Sequence, residues 1–200
     1  TQYVYNGDYG SNKVKFGAYY GGSSKRNIKN VDLKNNRKNT WGTGLIFNHA
    51  IDSIQNVTVA AGFTREISEN ANNTSLFRNA YGLGLAYNFV HTTYGVDLER
   101  QITKNQGDKR TKNEVRAIVR QGLNEDWNVY AMYAYKTDKH SNNTDRTRQF
   151  MVGTEYYVFN QGSLKVKPFL EWQATRTKYE NSAVDRSRDF KTVIGLRAFW

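Results

Sequence analysis

Apolar side chains alternate with small or polar ones at a period of two through most of this chain, in runs of about ten residues separated by polar, Asn-rich segments. Trp41, Thr43, Leu45 and Phe47 alternate with Gly42, Gly44, Ile46 and Asn48. Tyr81, Leu83, Leu85, Tyr87 and Phe89 alternate with Gly82, Gly84, Ala86 and Asn88, and Trp127, Val129, Ala131, Tyr133 and Tyr135 with Asn128, Tyr130 and Lys136. Phe190, Thr192, Ile194, Leu196, Ala198 and Trp200 carry the pattern to the last residue. A two-residue period sends successive side chains to opposite faces of an extended strand, so each run has one apolar face. The chain is therefore expected to be all-β.

The links between runs also alternate. Short ones fall near 52–56, 90–92, 123–126 and 159–163, and longer, more charged ones near 23–39, 71–78, 105–112, 141–145 and 181–185. Short turns at one end and long loops at the other describe an antiparallel up-and-down meander, the arrangement of bacterial outer-membrane barrels. Counting back from Trp200 gives ten strands, the earliest over residues 13–22, in a single domain spanning 1–200. Residues 1–11 are left over, as an N-terminal extension or a partial strand; bacterial single-chain barrels take even numbers, and the expected total is ten to twelve.

Periodicity does not distinguish a membrane barrel from a soluble one, because both alternate; composition does. The chain has 14 Tyr, 10 Phe and 4 Trp, too many for a disordered segment, and yet its mean hydropathy is −0.78. No stretch approaches the roughly 20 apolar residues of a spanning helix, which excludes a helical membrane protein. The non-apolar face is rich in glycine (Gly17, Gly42, Gly44, Gly62, Gly82, Gly84, Gly95, Gly153, Gly195), which is easier to understand facing a lumen than facing water. Trp41, Tyr94, Trp127, Tyr135, Trp172 and Trp200 stand at strand ends on the apolar face, as expected of the aromatic girdles at two lipid interfaces. A transmembrane β-barrel in a Gram-negative outer membrane is the expected fold. With no cysteine, no disulfide, Cys-ligated zinc or thiol nucleophile is available. Beginning at Thr1 without a leader-like stretch, the sequence reads as a mature form or a trimmed piece.

Lys167-Pro168-Phe169-Leu170-Glu171, a polar loop with Asp185 and Arg186, and a last run ending Ile194-Gly195-Leu196-Arg197-Ala198-Phe199-Trp200 resemble the oligogalacturonate-specific porin family. Residues 79–101, NAYGLGLAYNFVHTTYGVDLERQ, resemble that family's repeated hairpin. The resemblance implies a monomeric barrel, twelve-stranded in that family, with a narrow basic pore that passes acidic oligosaccharides and performs no covalent chemistry.

The residues themselves point the same way. The formal charge is +11, and on the polar face lie Lys13, Lys15, Arg116, Arg120, Lys165, Lys167, Lys191 and Arg197. If the first and last strands pair, the Lys13, Lys15, Lys165, Lys167, Lys191 and Arg197 set converges on one wall, with Arg116 and Arg120 roughly opposite. Such rings of cations favour anions, Arg as a bidentate fork for carboxylates and Lys as a mobile point charge. Tyr19, Tyr130 and Tyr157 offer rings for sugars to stack on, while Asp97, Glu99, Glu114, Glu155 and Glu171 share the face and are expected to pair with some of the cations. The expected solute is a small anion or anionic oligosaccharide. The basic segment 23–39, with Lys25, Arg26, Lys29, Lys34, Arg37 and Lys38, suits lipopolysaccharide phosphates or an ordinary solvated loop.

Rival readings remain open at this point: a salt-bridged, non-conducting interior, an adhesion or structural barrel, and an outer-membrane hydrolase using His140 beside Asp138 and Ser141. No His-Glu-x-x-His spacing or phosphate-binding Gly-rich motif occurs, so neither metal nor other cofactor is expected. A sequence pI of 9.7 alone would suggest nucleic acid, but the cations sit at alternate strand positions with no helix for groove entry.

Overall fold

A computed structural model describes residues 1–22, 35–70, 75–141, 143–161, 164–180 and 185–199. The described chain is all strand and turn, in one antiparallel sheet of up-and-down order. Its elements are β1 (Gln2–Tyr9), β2 (Asn12–Gly22), β3 (Asn35–Ala50), β4 (Gln55–Asn70), β5 (Ser75–Phe89) and β6 (Thr92–Asn105), followed by β7 (Asp108–Gly122), β8 (Trp127–His140), β9 (Asn143–Tyr156), β10 (Phe159–Gln161), β11 (Leu164–Lys178) and β12 (Arg186–Phe199). Each long strand pairs with the next; β9 and the three-residue β10 both pair with β11, so the meander has eleven strand positions. The break between β9 and β10 falls opposite Pro168, which has no N–H to give to a ladder and is tolerated at such an interruption.

The leftover N-terminal residues are strand, not extension: β1 pairs with β2 along its whole length, from Gln2↔Tyr19 to Tyr9↔Asn12. Two expected long loops are also corrected. β6 turns into β7 through Gln106 and Gly107 alone, both at positive φ (46° and 92°), the signature of a tight hairpin. β8 is paired with β9 up to His140↔Asn143. Residues 105–112 and 141–145 look like loops because these strands outrun their apolar stretch and become polar on both faces; β3 to β9 run 14–16 residues, against the 9–11 that cross a bilayer. The basic segment 23–39 falls largely outside the described residues, as does Trp200.

The sheet is open. Among the described residues no pairing joins β1 to β12, so the expected wall formed by meeting first and last strands is not present. With eleven positions β1 and β12 run in the same direction, so their direct pairing would be parallel rather than antiparallel.

The two faces are chemically distinct. Among the described residues Ala134 is the one buried apolar side chain, while Leu45, Leu83, Leu85, Val96, Leu98, Val119, Leu170, Ile194 and Leu196 are exposed on one face. The accessible surface is 13971 Å². A compact soluble monomer of this mass exposes about 9,700 Å². Among the described residues the apolar side chains therefore lie on an exposed face of the sheet, as a band, rather than in an enclosed core. Aromatics cluster on this face: Trp41, Phe63 and Tyr81 meet in series at 5.0 Å, Trp172 stacks on Phe190 at 6.1 Å, and Tyr87 stacks on Tyr94 at 6.4 Å.

Candidate functional site on the polar face

Register brings glycines into a single row. Gly17 pairs with Gly44, Gly44 with Gly62 and Gly62 with Gly82, so four adjacent strands lack a side chain at the same height. A Cβ at Gly82 would meet nothing within 4 Å, and at Gly17, Gly44 and Gly62 only backbone oxygen at 3.7–4.0 Å. These positions leave bare floor. The row continues through Glu99, Glu114 and Lys136. A cavity of 610 Å³ lies over this floor, bounded by side chains from β2 to β7 including Lys15, Asp97, Glu99, Glu114 and Arg116. The lining spans six adjacent strands, β2 to β7.

Other glycines serve a different purpose. Tyr130, Gly153 and Glu171 are consecutive across β8, β9 and β11, and a Cβ on Gly153 would sit 2.5 Å from the Tyr130 ring. Tyr130 lies over the glycine and its hydroxyl donates to Glu171 Oε1 at 2.7 Å. Tyr19 likewise crosses Gly42 to reach Thr64 Oγ1 at 3.1 Å, and the Phe169 ring covers Gly195. Of the tyrosines expected to stack sugars, Tyr19 and Tyr130 thus have one ring face against the sheet, and the Tyr157 ring lies 5.0 Å from Lys167 Nζ.

Near the short-turn end, charged groups gather around Glu155, whose side chain is 3% exposed. Lys167 Nζ donates to its Oε1 at 2.8 Å, Arg197 Nη1 to its Oε2 at 2.9 Å, and Arg120 Nη2 also to Oε1. Arg197 Nη2 reaches Glu171 Oε1 at 2.7 Å while its guanidinium carbon lies 4.2 Å over the Phe169 ring. Three cations on two carboxylates fasten β7, β9, β11 and β12 together and leave one net positive charge.

At the other end Arg110 grips Asp138 with Nε at 2.7 Å and Nη2 at 2.6 Å, and Lys112 stands 3.7 Å away. Both groups lie beyond the apolar band, and the hydrogen bond from Arg110 holds the Asp138 carboxyl below the ordinary aspartate range against the opposing effect of partial burial. Asp138 is thus engaged by Arg110, on the neighbouring strand to His140. His49 Nδ1 bonds Asn12 Oδ1 at 2.8 Å. Among the described residues no group of His, Asp and Glu has a metal-binding arrangement.

All eight cations singled out by alternation fall on the polar face: Lys13 and Lys15 on β2, Arg116 and Arg120 on β7, Lys165 and Lys167 on β11, Lys191 and Arg197 on β12, each linked to the same face by register. They do not form two opposed walls. Arg120 stands beside Lys167 and Arg197 at Glu155 rather than across from them, whereas Lys13 and Lys15 are at the far edge of the sheet. Arg116 lies among Glu114 at 2.9 Å and Asp97 at 3.8 Å, with Lys136 sharing Glu114. Lys13 is 3.8 Å from Asp8, both largely exposed, and Lys15, Lys165 and Lys191 make no ion pair among the described residues. Alternation does not reveal the glycine row or the Glu155 cluster, since both depend on register; the glycine spacing in each run is its only trace.

No protein-family model matches the chain, and no curated protein matches it.

Proposed function

We propose that the sheet closes into an outer-membrane β-barrel, with its apolar band against lipid, and acts as a diffusion channel for small anionic solutes, acidic oligosaccharides foremost. The glycine-floored cavity carries this reading: an interior that served only to brace the barrel would be filled with side chains, and here four strands in register leave it empty. The exposed apolar face supports the membrane setting, and the similarity of residues 79–101 and 164–200 to oligogalacturonate porins supports the solute class. Anion attraction rests chiefly on Lys15, Lys165 and Lys191 and on the excess charge at Glu155, because the other described cations of the polar face have carboxylates beside them. Weak, distributed attraction suits a channel, which must release what it admits. No reaction is proposed.

Liposome swelling in galacturonate oligomers tests this directly. The wild-type chain should speed swelling, and Gly82→Leu, which enters open space and so leaves folding intact, should slow it several-fold. Equal rates for the two proteins would remove the glycine floor from the conduction path.

A further inference from the structure

On the apolar face, at the ends of β9, β11 and β12 that lead into the long loops, six cations stand in two rows across three strands. Arg146, Lys178 and Arg186 form one row, and Arg148, Arg176 and Arg188 the next. All six are exposed, and among the described residues none makes an ion pair. Of the acids nearest in the sequence, Asp145 and Asp189 fall on the polar face, Glu180 accepts from the Thr144 amide at the edge of the block, and Asp185 precedes Arg186; among the described residues none of the four forms an ion pair with these cations. This differs from the polar face, where acids interleave with bases. Like charges directly opposite on neighbouring strands repel, so the block raises the energy of the isolated sheet.

Strands lie about 4.8 Å apart, and alternate residues about 7 Å, so the block covers about 10 by 7 Å, room for two phosphate groups. Arg146, Arg148, Arg176, Lys178 and Arg186 with Tyr135 surround a hollow of 200 Å³ there. Directly below, Phe150, Ala174 and Phe190 form the next row, followed by Trp172, all on the same face. Free phosphate has no use for such an apolar border; a lipid does, since its acyl chains can lie along the band while guanidinium forks take its phosphates.

We infer that this block binds the headgroup of a membrane lipid bearing more than one phosphate, seated on the outer wall at the long-loop end. The site rests on the proposed membrane setting and is independent of conduction through the interior.

The test is a titration of the chain in neutral detergent with diphosphoryl lipid A, monophosphoryl lipid A and inorganic pyrophosphate, bound species being read by native mass spectrometry. Diphosphoryl lipid A should bind tightest. The triple variant R148Q/R176Q/R188Q should weaken it about a hundredfold, at about fivefold for each cation removed near an anionic surface. K15Q/K191Q, on the opposite face, should leave it unchanged. Without lipid, the triple variant should unfold at a higher temperature than wild type, because repulsion is relieved. Equal binding of both lipids, or unchanged binding by the triple variant, overturns the inference while leaving the barrel standing. Pyrophosphate displacing the lipid at equal concentration overturns the lipid as occupant. A chain that stays monomeric in water without detergent and takes up no lipid overturns the membrane setting and this site with it.

Discussion

Glu155 shows how much a single side chain can organise. Its carboxylate is nearly inaccessible, and Lys167, itself 6% exposed, depends on it as a counterion. Glu155→Gln would take the shared carboxylate charge from Arg120, Lys167 and Arg197, of which Arg197 also holds Glu171. Removing one partner of a buried pair costs about 3–5 kcal/mol. The variant should therefore unfold at lower denaturant than wild type; unchanged stability would mean that water screens the cluster and that it does not tie the strands. Tyr130 and Tyr19 make a related point about glycine. Gly153 and Gly42 are spaces a neighbouring ring occupies, whereas Gly44, Gly62 and Gly82 are left bare. Residue type does not separate these two uses; the neighbour in register does.

At the scale of elements, the faces of the strands were legible and their ends were not. Period-two alternation places Lys13, Arg116, Lys165 and Arg197 on one face, because the apolar residues of every strand must share the other face and this fixes the parity of the register. Relative height along the strand needs register, and so Arg120, expected across from Lys167, is its neighbour. Residues 105–112 look like a loop because charge appears on both faces once a strand leaves the apolar band, though the ladder runs to Asn105↔Asp108. The strand formed by residues 2–9 was visible as alternation, yet an even-numbered count left it without a place. Its parity bears on closure. In lipid, the proposed barrel predicts slow hydrogen exchange at every amide of β12 between Arg188 and Ala198, since both edges would be bonded. Fast exchange at alternate residues would mean that the edge stays open in the membrane.

For the whole molecule, the central question is whether the polar face is a passage or a brace. The cluster at Glu155 and the Arg116–Glu114–Lys136 group are braces, and they neutralise much of the charge that alternation assigns to the lumen. The bare glycine row with Lys15 at its border is the feature a brace does not need. Hydropathy of −0.78 is an average over an apolar face and a polar one, which is why it conceals the band of exposed Leu, Val and aromatic side chains. The measurement that bears most directly on the proposed channel is the reversal potential of single channels in a planar bilayer under a potassium chloride gradient. The proposed channel predicts discrete conductance with chloride preferred over potassium, a preference reduced by K15E/K191E. Absence of channels from protein that has inserted, or a preference for potassium, would contradict it.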